Sequence, residues 1–436
     1  MILLSRLCAA FLLALCVWSP GVARAAAPEK VLHDWYRLIL ELVRHTPTYS
    51  PPVASRSFAY LGVTAHEAVA GGSDDLLSLA GQLNGLTTLP ERQQGAAYDE
   101  AVVLNAALTQ AVEAYFGNTG PTGQRAMAAM GTRLRDRVTE GVAPDVVARS
   151  IAQGEAVAAH VLAWSADDGG AVIENMGFPQ TYTPGAAPES WVPTNATVRQ
   201  QQAPLLPDWG NNRTFAMPDG KTCPLPPPPA YSEDPASDFY REAMEVVEAK
   251  ANLTPEHIHI ARSWSDDPML STTPPGHWVS IARQVLERDN APFDRQVEVH
   301  ALLGVGLADS FIGCWDAKFR YDLLRPVTYI RRVIDPAWEP LLITPPFPEY
   351  PSGHSTQSGA ADVILTALFG DDFAFEDNTM APDGLAPRQF PSFHAAAEEA
   401  GISRLYGGIH FRAAIEQGLA QGRCIGAHTI ALTTRR

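Results

Sequence analysis

Val299-His-Ala-Leu-Leu-Gly-Val-Gly-Leu-Ala-Asp-Ser-Phe-Ile-Gly-Cys-Trp-Asp-Ala-Lys318-Phe-Arg-Tyr-Asp-Leu-Leu-Arg325-Pro326 reads as a long helix followed by a stop. Leu302, Leu303, Leu307, Phe311, Cys314 and Trp315 recur at the spacing of one helix face. Lys318 is the next position on that face. An ammonium that continues a buried apolar stripe needs an anionic partner to offset its desolvation. The alternative is a helix end that emerges from the core, with the lysine reaching water along its stem. Arg325-Pro326, seven residues on, favours the first reading.

Two further pieces carry matching chemistry. Pro351-Ser-Gly-His354 follows the approach Pro345-Pro-Phe-Pro-Glu-Tyr and precedes a helical pattern from Ser355 to Phe369. Ser352 and Gly353 therefore sit where a loop enters a helix, with N–H groups available to an anion. Taken alone, Ser352 is an ordinary helix cap. Ser403-Arg404-Leu-Tyr-Gly-Gly-Ile-His410 ends one helix, turns at Gly407-Gly408 and opens another. Taken alone, His410 is a core histidine, and His428, deep in the last helix, is read that way. Together the three pieces supply three cations, two imidazoles and a Ser-Gly turn. Guanidinium forks bind pairs of oxygens, an ammonium supplies a point charge, and backbone N–H groups add neutral donors. That set suits a tetrahedral or trigonal-bipyramidal oxyanion.

The order K-x6-R-P, P-S-G-H, S-R-x5-H resembles the signature shared by vanadium-dependent haloperoxidases and type 2 phosphatidic acid phosphatases. Each piece is weak by itself; three in order are specific. The resemblance implies an all-α fold, with helical bundles and the anion held in a four-helix bundle core. It implies that Lys318, Arg325, Ser352, Gly353 and Arg404 hold oxyanion oxygens. His354 matches the acid–base histidine. His410 matches the histidine that bonds the metal of vanadate, or attacks phosphorus when phosphate occupies the same site. Vanadate adopts the five-coordinate geometry that phosphate reaches only in its transition state, so one cradle serves both.

The peroxidase branch implies hydrogen peroxide and halide as substrates, with Lys318 polarising the peroxide. The phosphatase branch implies a phosphomonoester and a phosphohistidine intermediate. A non-catalytic anion binder is a third reading. Trp315 and Phe347 resemble the aromatic pair on the halide side of chloroperoxidase-type sites and favour peroxidase; core packing explains them equally well. One position departs from the pattern. The family often continues H-x3-D, the aspartate orienting the histidine. Here that position is Ala414, and Glu416 is the nearest acid.

Outward from these pieces, the chain divides into a signal-like segment (1–25), an N-terminal helical region (26–166), a Pro/Gly-rich loop (167–235) and a C-terminal catalytic helical domain (236–436). Helices are expected over Val31–Arg44, Ala54–Ala70, Gln94–Phe116, Thr122–Thr139 and Pro144–Ser165. The long loop needs its Trp191 and Trp209 buried, and either walls the pocket or serves as a crossover, the latter being favoured. Helices resume over Ala236–Lys250, Pro255–Ser263 and Pro275–Arg288. His277 either approaches the pocket or satisfies itself with local hydrogen bonds, the simpler reading.

The 436 residues carry a formal net charge of -16. That disfavours nucleic acid or an anionic membrane as partner. Arg6, the apolar run Leu7–Trp18 and Ala23-Arg24-Ala25 read as a secretory signal, implying a periplasmic or secreted protein. No other stretch is expected to span a bilayer. Cys223, Cys314 and Cys424 would remain after cleavage, enough for at most one disulfide, and their spacing is not that of a zinc site.

Overall fold

The computed structural model describes residues 27–171, 182–194 and 203–436. The signal-like segment and the first cysteines lie outside them. Thirteen α-helices make up most of the described chain. α1 (Pro28–Arg44), α2 (Pro51–Ala70), α3 (Glu100–Phe116), α4 (Pro121–Thr139) and α5 (Pro144–Ser165) form the first half. α6 (Asp238–Ala251), α7 (Pro255–Ser263), α8 (Thr273–Arg288), α9 (Phe293–Tyr321) and α10 (Pro326–Val333) follow. α11 (Gly353–Phe369), α12 (Phe393–Tyr406) and α13 (Arg412–Ile430) complete the set.

Most expected helices are present with ends moved by capping chemistry. α2 starts ahead of the expected Ala54 because Pro51 and Pro52 open it, at positions where a missing N–H costs nothing. α3 starts later than expected because Asp99 caps it, its carboxylate accepting from the Val102 N–H at 3.1 Å. α10, eight residues opened by Pro326, was not anticipated. Neither was the antiparallel ribbon of β1 (Phe375–Asp377) and β2 (Arg388–Phe390), whose strands are too short for a period to show.

α9 lies at the centre, against α2 on one side and α8, α11 and α13 on others. A Cβ at Gly62 of α2 would sit 2.5 Å from the His300 carbonyl of α9. Only glycine lets those two backbones cross so closely. α9, α11, α12 and α13 form the four-helix unit, with α11 and α13 tightest: a Cβ at Gly422 would fall 1.9 Å from the Thr356 carbonyl. α9 is in fact long and apolar enough to cross a membrane, contrary to expectation, but its apolar window is wholly buried among other helices.

The long loop hangs from α9. Asp309 accepts from the backbone N–H groups of Phe215, Ala216 and Met217 at 2.6, 2.8 and 2.9 Å. Cys223 and Cys424 form a disulfide that ties the loop to α13, leaving Cys314 free and buried. Trp191 and Trp209 are buried, as their size requires.

Candidate active site

The three sequence pieces converge. Lys318 ends the inward stripe of α9 and is fully buried. Its Nζ donates to the carbonyls of Pro348 (2.8 Å), Glu349 (3.0 Å) and Pro351. An ammonium has three protons, so all are engaged. Burial pulls its pKa down to about 7. Arg325 caps α10 and is also fully buried. Its Nε donates to the Phe347 carbonyl at 2.8 Å and its Nη1 to the Ile409 carbonyl at 3.0 Å. Arg404, near the end of α12, donates from Nε to Ser403 Oγ at 2.9 Å and from Nη2 to the Trp264 carbonyl. Peptide oxygens thus hold all three cations in place.

His410 lies in the turn between α12 and α13. Burial, with the charges of Arg325, Lys318 and Arg404 beside it, holds its pKa well below the ordinary imidazole value. Its Nε2 is 3.1 Å from Arg325 Nη1. A guanidinium cannot accept, so Nε2 must carry the lone pair. The proton is therefore on Nδ1, which donates to Glu349 Oε1 at 2.9 Å. The same oxygen accepts from the Phe411 N–H at 2.8 Å. Glu349 takes the part that the H-x3-D aspartate would have played. Burial pushes its carboxyl up to about 8. Ala414 is buried, and its carbonyl accepts from the Ser352 N–H at 3.0 Å. Glu416 faces Arg412 nearer the surface.

Ser352 caps α11, its Oγ accepting from the Ser355 N–H at 3.3 Å. Gly353 and His354 form the first turn. His354 Nε2 lies 3.4 Å from Asp266 Oδ2, and burial lowers the ring's pKa to about 4. Trp315 and Phe347 stand together, centroids 4.9 Å apart, and Phe347 lies 5.2 Å from Lys318 Nζ. The Trp315 indole donates to the Leu205 carbonyl at 3.0 Å. Leu205, Leu206 and Trp209 of the long loop pack on this pair, so that segment backs the aromatic wall as well as crossing the body.

A family model described as the VCPO second helical-bundle domain matches residues 298–436. A bacterial vanadium-dependent iodoperoxidase of solved structure is 39% identical, with a TM-score of 0.84, and the match covers 93% of this chain and 96% of that one. The chain belongs to the vanadium-dependent haloperoxidases. A bacterial vanadium-dependent chloroperoxidase shares the fold in its holo form (16% identity, TM-score 0.66, 90% of this chain and 95% of that one). Its apo form does likewise (15%, 0.67, 89% and 94%). A search of curated proteins found no match.

The haloperoxidase pocket fits an oxyanion on its own chemistry. Arg325 Nη2 is buried with no hydrogen-bond partner among the described residues, which in a folded interior calls for an acceptor. A Cβ at Gly353 would meet nothing nearer than Trp315 at 3.8 Å. Protein packing therefore does not demand glycine there, whereas close approach of a guest to the α11 N-terminus does.

Sequence reasoning missed Glu349 and Asp266. The signal for Glu349 was faint: an acid in an otherwise prolyl and apolar run, two residues before Pro351. His277 does not bond locally. It is fully buried, with Nδ1 2.8 Å from Asp266 Oδ1 and Nε2 2.8 Å from Asp377 Oδ2.

Proposed function

We propose that this protein oxidises a halide with hydrogen peroxide at a vanadate held by His410. The observation that carries the reading is the imidazole of His410, held neutral by burial among the cations and oriented by Glu349, with its Nε2 lone pair turned to the side of those cations. Vanadate, when bound, supplies a Lewis-acidic centre that activates peroxide for attack by halide. Nε2 of His410 would bond the metal. Arg325, Arg404, the Ser352 hydroxyl and the Gly353 N–H would hold the oxygens; the Ser352 N–H, expected to face the anion, is instead taken by the Ala414 carbonyl. Lys318, its protons engaged by carbonyls, contributes positive charge to the same wall. His354, neutral at working pH, accepts a proton first and returns it later. Trp315 and Phe347 offer a dry side for the halide. Iodide is the halide to test first, given the 39%-identical iodoperoxidase.

The decisive assay loads phosphate-free protein with orthovanadate and follows iodide and bromide oxidation by hydrogen peroxide. A parallel assay without vanadate uses a phosphomonoester. Vanadate-dependent halide oxidation, abolished in His410→Ala, is expected. Phosphate release without halide oxidation would overturn the reading.

We also infer export to an oxidising compartment. The signal-like residues 1–25 and the Cys223–Cys424 disulfide support it. Mass measurement of the mature chain tests it, and an intact N-terminus would contradict it.

A further inference from the structure

Behind His354 lies a row of buried ionisable groups drawn from three separate elements. Asp266 comes from the α7–α8 connection, His277 from the first turns of α8, and Asp377 from β1. All three are buried, and each contact between them is 2.8 Å. A ring nitrogen that close to a carboxylate oxygen requires a proton between them. His277 meets such an oxygen at both nitrogens. The row therefore holds either an imidazolium between two carboxylates or a neutral ring with one carboxylic acid.

Other features fix the row. The Trp264 indole stacks on His277, centroids 4.4 Å apart and planes 17° apart. The Trp264 carbonyl accepts from Arg404. Asp266 takes a left-handed backbone conformation, φ 50, which aspartate tolerates better than most residues but at a cost. Asp377 Oδ1 accepts from the Thr379 N–H at 2.9 Å, locking the ribbon end of the row. Asp266 Oδ1 is committed to His277, so Oδ2 is left facing His354. Asp266 Oδ2 and His354 Nε2 are both buried, face each other at 3.4 Å, and neither makes a hydrogen bond among the described residues, so each is the nearest polar group able to satisfy the other.

We infer that His277 and Asp377 are positioning residues: acting through Asp266, they hold His354 in the tautomer with its proton on Nε2 and leave Nδ1 as the nitrogen that exchanges protons with the substrate. The inference rests on the proposed acid–base role of His354. It also gives the short ribbon a task, since β1 delivers Asp377 to a point separated from His354 by two groups, Asp266 and His277. The logic is that of any acid–base histidine whose second nitrogen is fixed by a carboxylate. Here the carboxylate is itself fixed by a second imidazole.

The test is Asp377→Asn, with His277→Gln as a second variant in case the first does not fold. Histidine-selective 15N NMR on vanadate-free protein reads the tautomer without any turnover. Wild type is expected to show His354 with a protonated Nε2 and a bare Nδ1, and the variant a mixture of tautomers. In vanadate-loaded protein, kcat for halide oxidation should fall about 10- to 100-fold, with KM for halide unchanged. A folded variant with the wild-type His354 signal and unchanged kcat overturns the inference. If wild type oxidises no halide yet the NMR change appears, the row positions His354 but the proposed reaction is wrong. A lower melting temperature with no change in the His354 signal assigns the row to stability alone and also overturns the inference.

Discussion

Glu349→Ala is the sharpest perturbation of this site. Glu349 Oε1 accepts two hydrogen bonds, from His410 Nδ1 and from the Phe411 N–H, and the side chain is wholly buried. Alanine leaves both donors without an acceptor, each at about 1–3 kcal/mol. The two donors together cost about 2–6 kcal/mol and the cavity adds roughly 1 more, so a loss of roughly 3–7 kcal/mol in stability is expected. His410 also loses the partner that keeps its proton on Nδ1. Orthovanadate affinity should fall about 10- to 100-fold, which corresponds to about 1.4–2.7 kcal/mol. Glu349→Gln keeps an oxygen for both donors but puts an amide NH2 in place of the buried Oε2 and can no longer ionise, so it should lie between wild type and alanine. Titrating phosphate-free protein with orthovanadate by calorimetry, beside a thermal melt, measures both quantities. A folded Glu349→Ala protein that binds vanadate as tightly as wild type would refute the reasoning. A glutamine variant as weak as alanine would show that charge, rather than direction, is what His410 needs.

Two further outcomes follow from other parts of the molecule. Cys223 and Cys424 are 201 residues apart, so Cys424→Ser should lower the melting temperature, with a chain-entropy ceiling of about 5 kcal/mol; an unchanged melt would mean that the loop is held by Asp309 and its apolar contacts alone. His300 is fully buried, stacks on Tyr36 at 3.7 Å and has its pKa pushed down to about 3 by burial. A folded pKa below the unfolded value of 6.5 means stability present above pH 6.5 and lost as pH falls towards 3. His300→Phe should therefore move acid unfolding to lower pH, and an identical acid transition would clear His300 of that role.

Much of this site was readable from residues because its chemistry is local in sequence. The cations and histidines fall in three short motifs, and their helices show a clear period. Trp315 and Phe347 were likewise within reach, each lying close to a motif. Glu349 was hidden because its role depends on meeting a histidine 61 residues later. The row behind His354 was hidden for the same reason, Asp377 lying 100 residues from His277. α10 escaped because its stripe spans barely two turns, and the ribbon because three-residue strands carry no alternation. The start of α2 was placed three residues late, at Ala54, because proline both ends and begins helices, and only the fold shows that Pro51 and Pro52 begin this one.

The grip on Lys318, Arg325 and Arg404 comes largely from main-chain oxygens at Trp264, Phe347, Pro348, Glu349, Pro351 and Ile409. Such oxygens neither titrate nor depend on which amino acid supplies them. The three side chains should therefore keep their places across a wide range of acidity, even as the Lys318 charge itself titrates near neutrality. Trp264 and Ile409 offer those carbonyls whatever their side chains, and the side chains answer to other demands: both are buried, and the Trp264 indole stacks on His277. Replacing either side chain would be felt as lost packing, while the clasp on the cations follows the path of the main chain alone.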